Sequence, residues 1–365
     1  MAPRVLILTA SVGEGHDRPA RLLDAQLRRE QPSVDVTIVD CLPALGRVVA
    51  GLSGAAPRIV FYRFLWLWDL GFWAFAGWGP SREAAQRLLT RLGTPGLLRL
   101  IDEVDPDVIV SVYPTVTEVL GRLRRTGRLD IPVVAAITDL AAMHYWASRG
   151  CDVHLVTHPE SVAEVRGIIG AAPPVHCVHG FTSEEFLDPR EQTAARREVG
   201  LPDGGEVVVV SGGGWGVGDI LGAIETTLTI PEVTKVVCLC GRNEALRSRL
   251  QARFSGVTRV RVEGFTEQMN EWLAAADALV HSTGGLTVLE ALMRGCPAIS
   301  YGWGRGHLRL NNQAFLRFEL AQVAGTPAEL RVALRRALEQ GRTATTSFSG
   351  LQSAASVVLA AANAA

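Results

Sequence analysis

Hydrophobic residues in this chain fall into short aliphatic runs, separated by longer stretches that read as amphipathic helices. The runs occupy residues 4–9, 34–40, 107–112, 132–138 and 153–157 and then, after a gap, 206–210, 235–240, 259–262, 278–281 and 298–301. Strands alternating with helices imply βαβ units and mostly parallel sheets. Because the series restarts after a polar, proline-containing stretch, the pattern predicts two similar domains, 1–180 and 205–345, with a linker at 181–204. A small, apolar helix at about 353–362 closes the chain, within a 346–365 tail expected to fold back toward the first domain; plain packing on the second domain is the alternative. At 365 residues the chain is longer than one hydrophobic core usually serves, which agrees with two domains and makes a cleft between them available.

One segment breaks the alternation. Residues 59–79 carry Phe61, Tyr62, Phe64, Trp66, Trp68, Phe72, Trp73, Phe75 and Trp78. Length alone permits a membrane span. Against that, Arg63 and Asp69 lie inside it, each costing about 2.5 to 3.5 kcal/mol at a bilayer centre, and spanning would divide a domain between two compartments. Tryptophan and tyrosine favour the headgroup boundary, so a membrane-dipping element that sets Trp66, Trp68, Trp73 and Trp78 against lipid is the sharper expectation. An aromatic core or a homodimer interface is the ordinary alternative.

Charge narrows the partners. With 36 basic and 37 acidic residues and a net charge of -1, no whole-protein field draws the chain to nucleic acid, and any anionic ligand must be met locally. The six cysteines form no Cys-x-x-Cys pair and read as reduced core thiols. The N-terminus passes from a short apolar stretch straight into a glycine loop, without the pattern of a signal peptide. A cytoplasmic protein, peripheral on the inner face of the membrane, is the expectation.

Candidate chemistry sits where strands end. The first strand runs into Gly13-Glu14-Gly15-His16, where glycines let the backbone turn and amides at a helix start favour negative charge. The spacing is not Gly-x-Gly-x-x-Gly, since no third glycine follows. His16 at this edge could take a proton from an acceptor hydroxyl; capping its own helix is the alternative. The second series opens similarly with Gly212-Gly213-Gly214, a run that brings amides near an anion or lets two domains approach closely. Further on, Ser282-Thr283-Gly284-Gly285 leads into a helix containing Glu290, and Asn311 and Asn312 follow a second glycine-rich loop. Helix-start amides suit a diphosphate, and a carboxylate on the next turn can accept bonds from ribose hydroxyls.

Taken together these residues resemble the family of monogalactosyldiacylglycerol synthases and bacterial diacylglycerol glucosyltransferases, with a more distant similarity to the lipid-II-forming N-acetylglucosaminyltransferase. Family members carry a Gly-Gly-Gly-His loop where this chain has Gly13 to His16, and a Thr-Asp segment followed by His and Trp, present as Thr138-Asp139, His144 and Trp146. The Cys240-Gly241-Arg242-Asn243 and Gly264-Phe265-Thr266 turns also match. The resemblance implies a GT-B fold: two Rossmann-like α/β domains around a cleft, with a C-terminal helix crossing back. It further implies that Gly241, Arg242, Asn243 and Phe265 border a uracil base, Ser282 to Gly285 a diphosphate and Glu290 a ribose. His16, steered by Asp139, becomes the base; Gly13, Gly15, His144, Trp146 and the aromatic segment face acceptor or membrane.

The chain also departs from the family. Where the lipid galactosyltransferases have Gln-Glu-x-x-Asn, it has His307-Leu308-Arg309-Leu310-Asn311, so the pair expected to hold the donor sugar is missing. Glu14 adds a negative charge to the first loop, beside Asp17 and Arg18. Retaining GT-B enzymes usually carry a second glutamate eight positions before the one at Glu290, which here would be Ser282, and inversion is expected. Asp105-Pro106-Asp107 has Asp-x-Asp form but reads as a turn, and no metal or other cofactor is expected. The favoured reading is therefore inverting, metal-independent transfer of a sugar from a UDP-sugar to a lipid such as diacylglycerol. The alternatives are a natural-product glycosyltransferase with a soluble aglycone, a nucleotide-sugar 2-epimerase and a catalytically silent nucleotide-sugar-binding protein.

Overall fold

In the computed structural model, residues 2–11, 14–46, 79–282, 284–302, 304, 306–343, 348 and 350–364 are described. The chain divides into two compact units, Met1–Thr182 with Leu351–Ala365, and Ser183–Gly350.

The first unit runs β1 (Arg4–Thr9), α1 (Glu14–Glu30), β2 (Asp35–Asp40), α2 (Gly79–Val104), β3 (Val108–Ser111), α3 (Pro114–Arg125), β4 (Val133–Ile137), β5 (Val153–Val156), α4 (Ser161–Ile169) and β6 (Val175–His179). The strands form a parallel sheet in the order β6-β5-β4-β3-β1-β2. Every residue of β3 and β4 is buried, as expected of aliphatic strands covered by helices on both faces. Helix α2 lies close to the loop after β2, because Gly96 lets its backbone approach to where a Cβ would stand 2.1 Å from the Ala44 carbonyl oxygen. Any larger residue there would have to push that loop away.

Two residues of the tail, Gln352–Ser353, add a seventh strand, β13, beside β6. The helix that follows, α12 (Ala354–Asn363), packs on α1. Gln26 joins these pieces: its Oε1 accepts from the Ala355 amide at 3.1 Å, and its Nε2 lies 3.3 Å from His179 Nδ1. Neither β6 nor β13 was expected from the hydrophobic runs. Strand β6 reads Val-His-Cys-Val-His, with only its two valines buried, and β13 is too short to show a period.

The second unit carries β7 (Glu206–Ser211), β8 (Val233–Leu239), β9 (Val260–Glu263), β10 (Ala278–His281), β11 (Ala298–Tyr301) and β12 (Gln322–Ala324), parallel in the order β12-β11-β10-β7-β8-β9. Its helices are α5 (Gln192–Glu198), α6 (Ile220–Leu228), α7 (Glu244–Arg253), α8 (Met269–Ala275), α9 (Gly285–Met293), α10 (His307–Arg317) and α11 (Pro327–Gln340). The stretch at 181–204, expected as a linker, is largely part of this unit. Helix α5 packs on α8, and the buried Arg294 donates to the carbonyls of Glu185 and Asp188. A guanidinium has enough donors to hold two carbonyls at once, and the segment stays packed.

Among the described residues, no helix is long and apolar enough to cross a membrane. The aromatic segment with Trp66, Trp68, Trp73 and Trp78, together with Gly13 and Thr283, lies outside the described residues.

Candidate active site

Parallel strands bring their C-terminal ends to one edge of a sheet, which is where ligands of α/β folds are met. In the first unit this edge collects His16 on the first turn of α1, Val112 and Tyr113 after β3, and Asp139 after β4. The His16 Nδ1 lies 2.8 Å from the Val112 carbonyl oxygen. A carbonyl can only accept, so Nδ1 carries the hydrogen and Nε2 of the neutral ring is the nitrogen able to take a proton. The Tyr113 ring stands at 86° to the imidazole with centroids 5.2 Å apart. Sequence reasoning proposed Asp139 as the steering group and missed Val112, since a backbone carbonyl leaves no mark in a sequence. Asp139 is buried at the same edge.

The other expected residues of this unit have distinct settings. Gly15 is exposed, and a Cβ there meets no atom within 4 Å. His144 is half-buried, and its pKa is lowered by that burial first and by Arg82 and Arg149 after it. Trp146 is half-buried and packs against the hydrophobic core of its own unit. The Asp105-Pro106-Asp107 turn sits at the opposite edge, where Arg4 bonds Asp105 at 2.6 Å and Asp107 at 3.2 Å. The Arg4 backbone N–H, then its guanidinium, holds the Asp107 carboxyl below its ordinary value. The turn joins the starts of β1 and β3.

In the second unit the glycine run after β7 and the Cys240-Gly241-Arg242-Asn243 turn after β8 interlock. The Arg242 amide donates to the Gly214 carbonyl at 2.8 Å, and Gly241, with φ +58°, leaves no room for a Cβ, which would stand 2.4 Å from the Gly213 oxygen. Asn243 caps α7 through the Leu246 amide and donates to the Trp215 carbonyl, so its side chain shapes the turn. Gly213 and Gly214 thus pack the two loops together, while Gly212 packs against Gly216 and Val217 of its own loop and the Gly213 amide donates to Ser211 Oγ at 3.2 Å. The Arg242 guanidinium lies 3.8 Å from the centre of the Phe265 ring, and Phe265 is 42% exposed. Such a stacked pair offers a flat face to a nucleobase.

Beside this, Ser282 donates to the Tyr301 carbonyl at 3.3 Å, and the Tyr301 hydroxyl donates to Asp219 at 3.2 Å. Helices α9 and α10 begin at Gly284 and Gly306 without a side-chain cap. Amides at a helix start are the groups that suit an anion. Glu290 and Asn311 are buried. Asn312 is committed to the fold: its Oδ1 accepts from the Ser300 hydroxyl at 2.7 Å, and its Nδ2 donates to the Gly302 carbonyl at 3.0 Å. These bonds tie the side chain of Asn312 to β11 and to Gly302.

Two units of this build, each a parallel sheet between helices, define the GT-B class. MurG of Acinetobacter baumannii has the same fold, at 15% identity with a TM-score of 0.59, covering 98% of this chain and 99% of that one. The glycosyltransferase SnogD of Streptomyces nogalater follows at 18% identity, TM-score 0.55, with 99% and 98% covered.

Family models narrow the class. Residues 17–171 match the monogalactosyldiacylglycerol (MGDG) synthase family and residues 215–340 the glycosyl transferases group 1 family. The chain is 27% identical to the processive diacylglycerol beta-glucosyltransferase of Bacillus subtilis over 82% of its own length and 77% of that protein. It is 29% identical to a probable monogalactosyldiacylglycerol synthase 2 of Oryza sativa subsp. indica over 82% and 66%. Against the processive diacylglycerol beta-glucosyltransferase of Staphylococcus carnosus it is 27% identical over 65% of its length, spanning 60% of that relative. Over both units, then, the chain resembles the family of monogalactosyldiacylglycerol synthases and bacterial diacylglycerol glucosyltransferases.

Proposed function

We propose that this chain is an inverting, metal-independent glycosyltransferase that moves a sugar from a UDP-sugar to the hydroxyl of a lipid acceptor such as diacylglycerol. The observation that carries the reading is the His16–Val112 bond, because it presents Nε2 as the proton-accepting nitrogen. In this mechanism Nε2 removes the acceptor's hydroxyl proton as the oxygen attacks the anomeric carbon from the face opposite the leaving diphosphate, which inverts that centre. The departing charge is met by the amides at the starts of α9 and α10, without a cation. The base lies on the Arg242–Phe265 face, and Glu290 meets the ribose. The matches to lipid-glycosylating relatives support the acceptor class. On this reading the protein acts from the cytoplasm, peripheral on the inner face of the membrane that holds its acceptor.

The test is to incubate the full chain with UDP-glucose, UDP-galactose or UDP-N-acetylglucosamine and vesicles containing dioleoylglycerol, in excess chelator. A new glycolipid with one of these donors, carrying the opposite anomeric configuration, is the expected product. Failure with every donor, product that retains configuration, or activity restored only by manganese or magnesium would each overturn the corresponding part of the proposal.

A further inference from the structure

The Val112 carbonyl that holds His16 belongs to a corner whose geometry is not set by the sheet alone. The Val112 amide extends the ladder by donating to the Leu8 carbonyl at 2.9 Å. After it the chain leaves the strand and enters α3 through Tyr113 and Pro114. Tyr113 is the N-cap residue, yet it makes no side-chain cap, although Ser, Thr, Asp or Asn is the usual choice there. Its ring is directed against the His16 imidazole, a use that a small capping residue could not serve.

Two buried hydroxyls meet the backbone at this corner from the other side, at the Tyr113 carbonyl. Ser111 Oγ lies 2.7 Å from Thr117 Oγ1, and each hydroxyl lies 3.1 Å from the Tyr113 carbonyl oxygen. Thr117 also donates its backbone amide to that oxygen at 3.0 Å. Two hydroxyl hydrogens serve three contacts. If Ser111 donates to Thr117, then Thr117 donates to the carbonyl; if Thr117 donates to Ser111, then Ser111 does. Either direction keeps a hydroxyl hydrogen on the Tyr113 carbonyl. Ser111 is fully buried and Thr117 nearly so, where such bonds hold their geometry against competition from water.

We propose that Ser111 and Thr117 are positioning residues for His16: their hydroxyls pin the Tyr113 carbonyl, hence the Val112–Tyr113 corner, and so keep the Nδ1 hydrogen on the Val112 carbonyl with Nε2 aimed at the acceptor. This rests on His16 being the base, and it adds where the correct tautomer comes from. A purely structural tie would stabilise the start of α3 without affecting the ring.

The experiment separates these. The full chain with ¹⁵N-labelled histidine is examined by long-range proton–nitrogen correlation, and the His16 ring signals are identified by their loss in His16→Gln. The native protein is expected to show the Nδ1–H tautomer. In Thr117→Val and in Ser111→Ala the ring should populate both tautomers, and lipid glycosylation should lose about tenfold in kcat, the rate equivalent of one neutral hydrogen bond, with the donor KM unchanged. Thr117→Ser should restore both signals and rate. If either hydroxyl-free variant keeps the single tautomer and the native kcat, or loses thermal stability with the tautomer intact, the pair is only a structural tie at the start of α3 and the inference falls. If instead His16→Gln turns over normally, the base assignment falls, while the tautomer result still stands or fails by itself.

Discussion

His16 and Val112, 96 residues apart in the chain, meet at 2.8 Å between an imidazole nitrogen and a backbone carbonyl. The contact joins the first turn of α1 to the end of β3, two elements that parallel strand pairing places side by side. Removing the imidazole removes the proton acceptor without disturbing the second unit. His16→Gln is therefore expected to lower kcat by roughly 100-fold or more, the usual share of a general base, while UDP affinity by calorimetry stays native. An unchanged kcat would place the base elsewhere.

Gly15, one residue before, faces open space. Alanine in place of glycine there should leave thermal stability equal or raised, by up to about 1 kcal/mol from helix propensity. The added methyl occupies room assigned to the acceptor, so the KM for diacylglycerol should rise while the KM for the donor does not. A native acceptor KM would show that the acceptor does not pass over this turn.

The exposed face of Phe265 is the counterpart in the second unit. Phe265→Ala should weaken UDP binding about tenfold, since stacking of a base on an aromatic ring is worth about 1 to 3 kcal/mol, with little change in melting temperature. Isothermal titration measures both the loss and, with Arg242→Ala, whether the two residues act as one platform. Native affinity in Phe265→Ala would remove that face from the donor site.

Asn312 should behave differently from a ligand-binding residue. Asn312→Ala strips the Ser300 hydroxyl and the Gly302 carbonyl of a buried partner, and each orphaned group costs about 1 to 3 kcal/mol. The expected result is a lower denaturant midpoint, with the remaining folded protein saturating with UDP as before. Unaltered stability together with lost UDP binding would restore Asn312 as a direct contact.

Two buried groups of the first unit oppose one another in pH. Burial holds the His154 imidazole down to about 4, from an ordinary 6.5; its contribution to stability is complete above 6.5 and is lost as pH falls toward 4. Burial raises Glu118 to about 7 from 4.5, against the pull of Arg125, Arg122 and Arg82; its contribution is complete below 4.5 and is lost as pH rises toward 7. Each amounts to about 3 kcal/mol over its window, so between pH 4.5 and 6.5 the two slopes cancel. Glu118→Gln should reveal loss of stability in acid and His154→Gln loss toward neutral pH, read from urea midpoints across that range. A native profile as steep as either variant's contradicts the compensation.

Much of this architecture was legible in the chain. The hydrophobic runs at 4–9, 278–281 and 298–301 coincide with β1, β10 and β11, because strands covered on both faces are mostly aliphatic. Glycine positions such as Gly241 were visible as turns, and Asn243 and Phe265 as residues beside one. Three things depended on tertiary structure. Strands β6 and β13 pair residues as far apart as Val178 and Gln352, and a two-residue strand has no pattern of its own. Asn243 and Asn312 look like polar ligands in sequence, but most of their observed partners, the carbonyls of Trp215 and Gly302 among them, are backbone atoms that every residue possesses. The tautomer of His16 was likewise beyond the sequence, since it depends on where the Val112 carbonyl points once the Ser111 and Thr117 hydroxyls hold the corner beside it. Residue type determined which side chains could hold a proton; hydrogen bonds to backbone groups brought together only by the fold decided which imidazole nitrogen carries it.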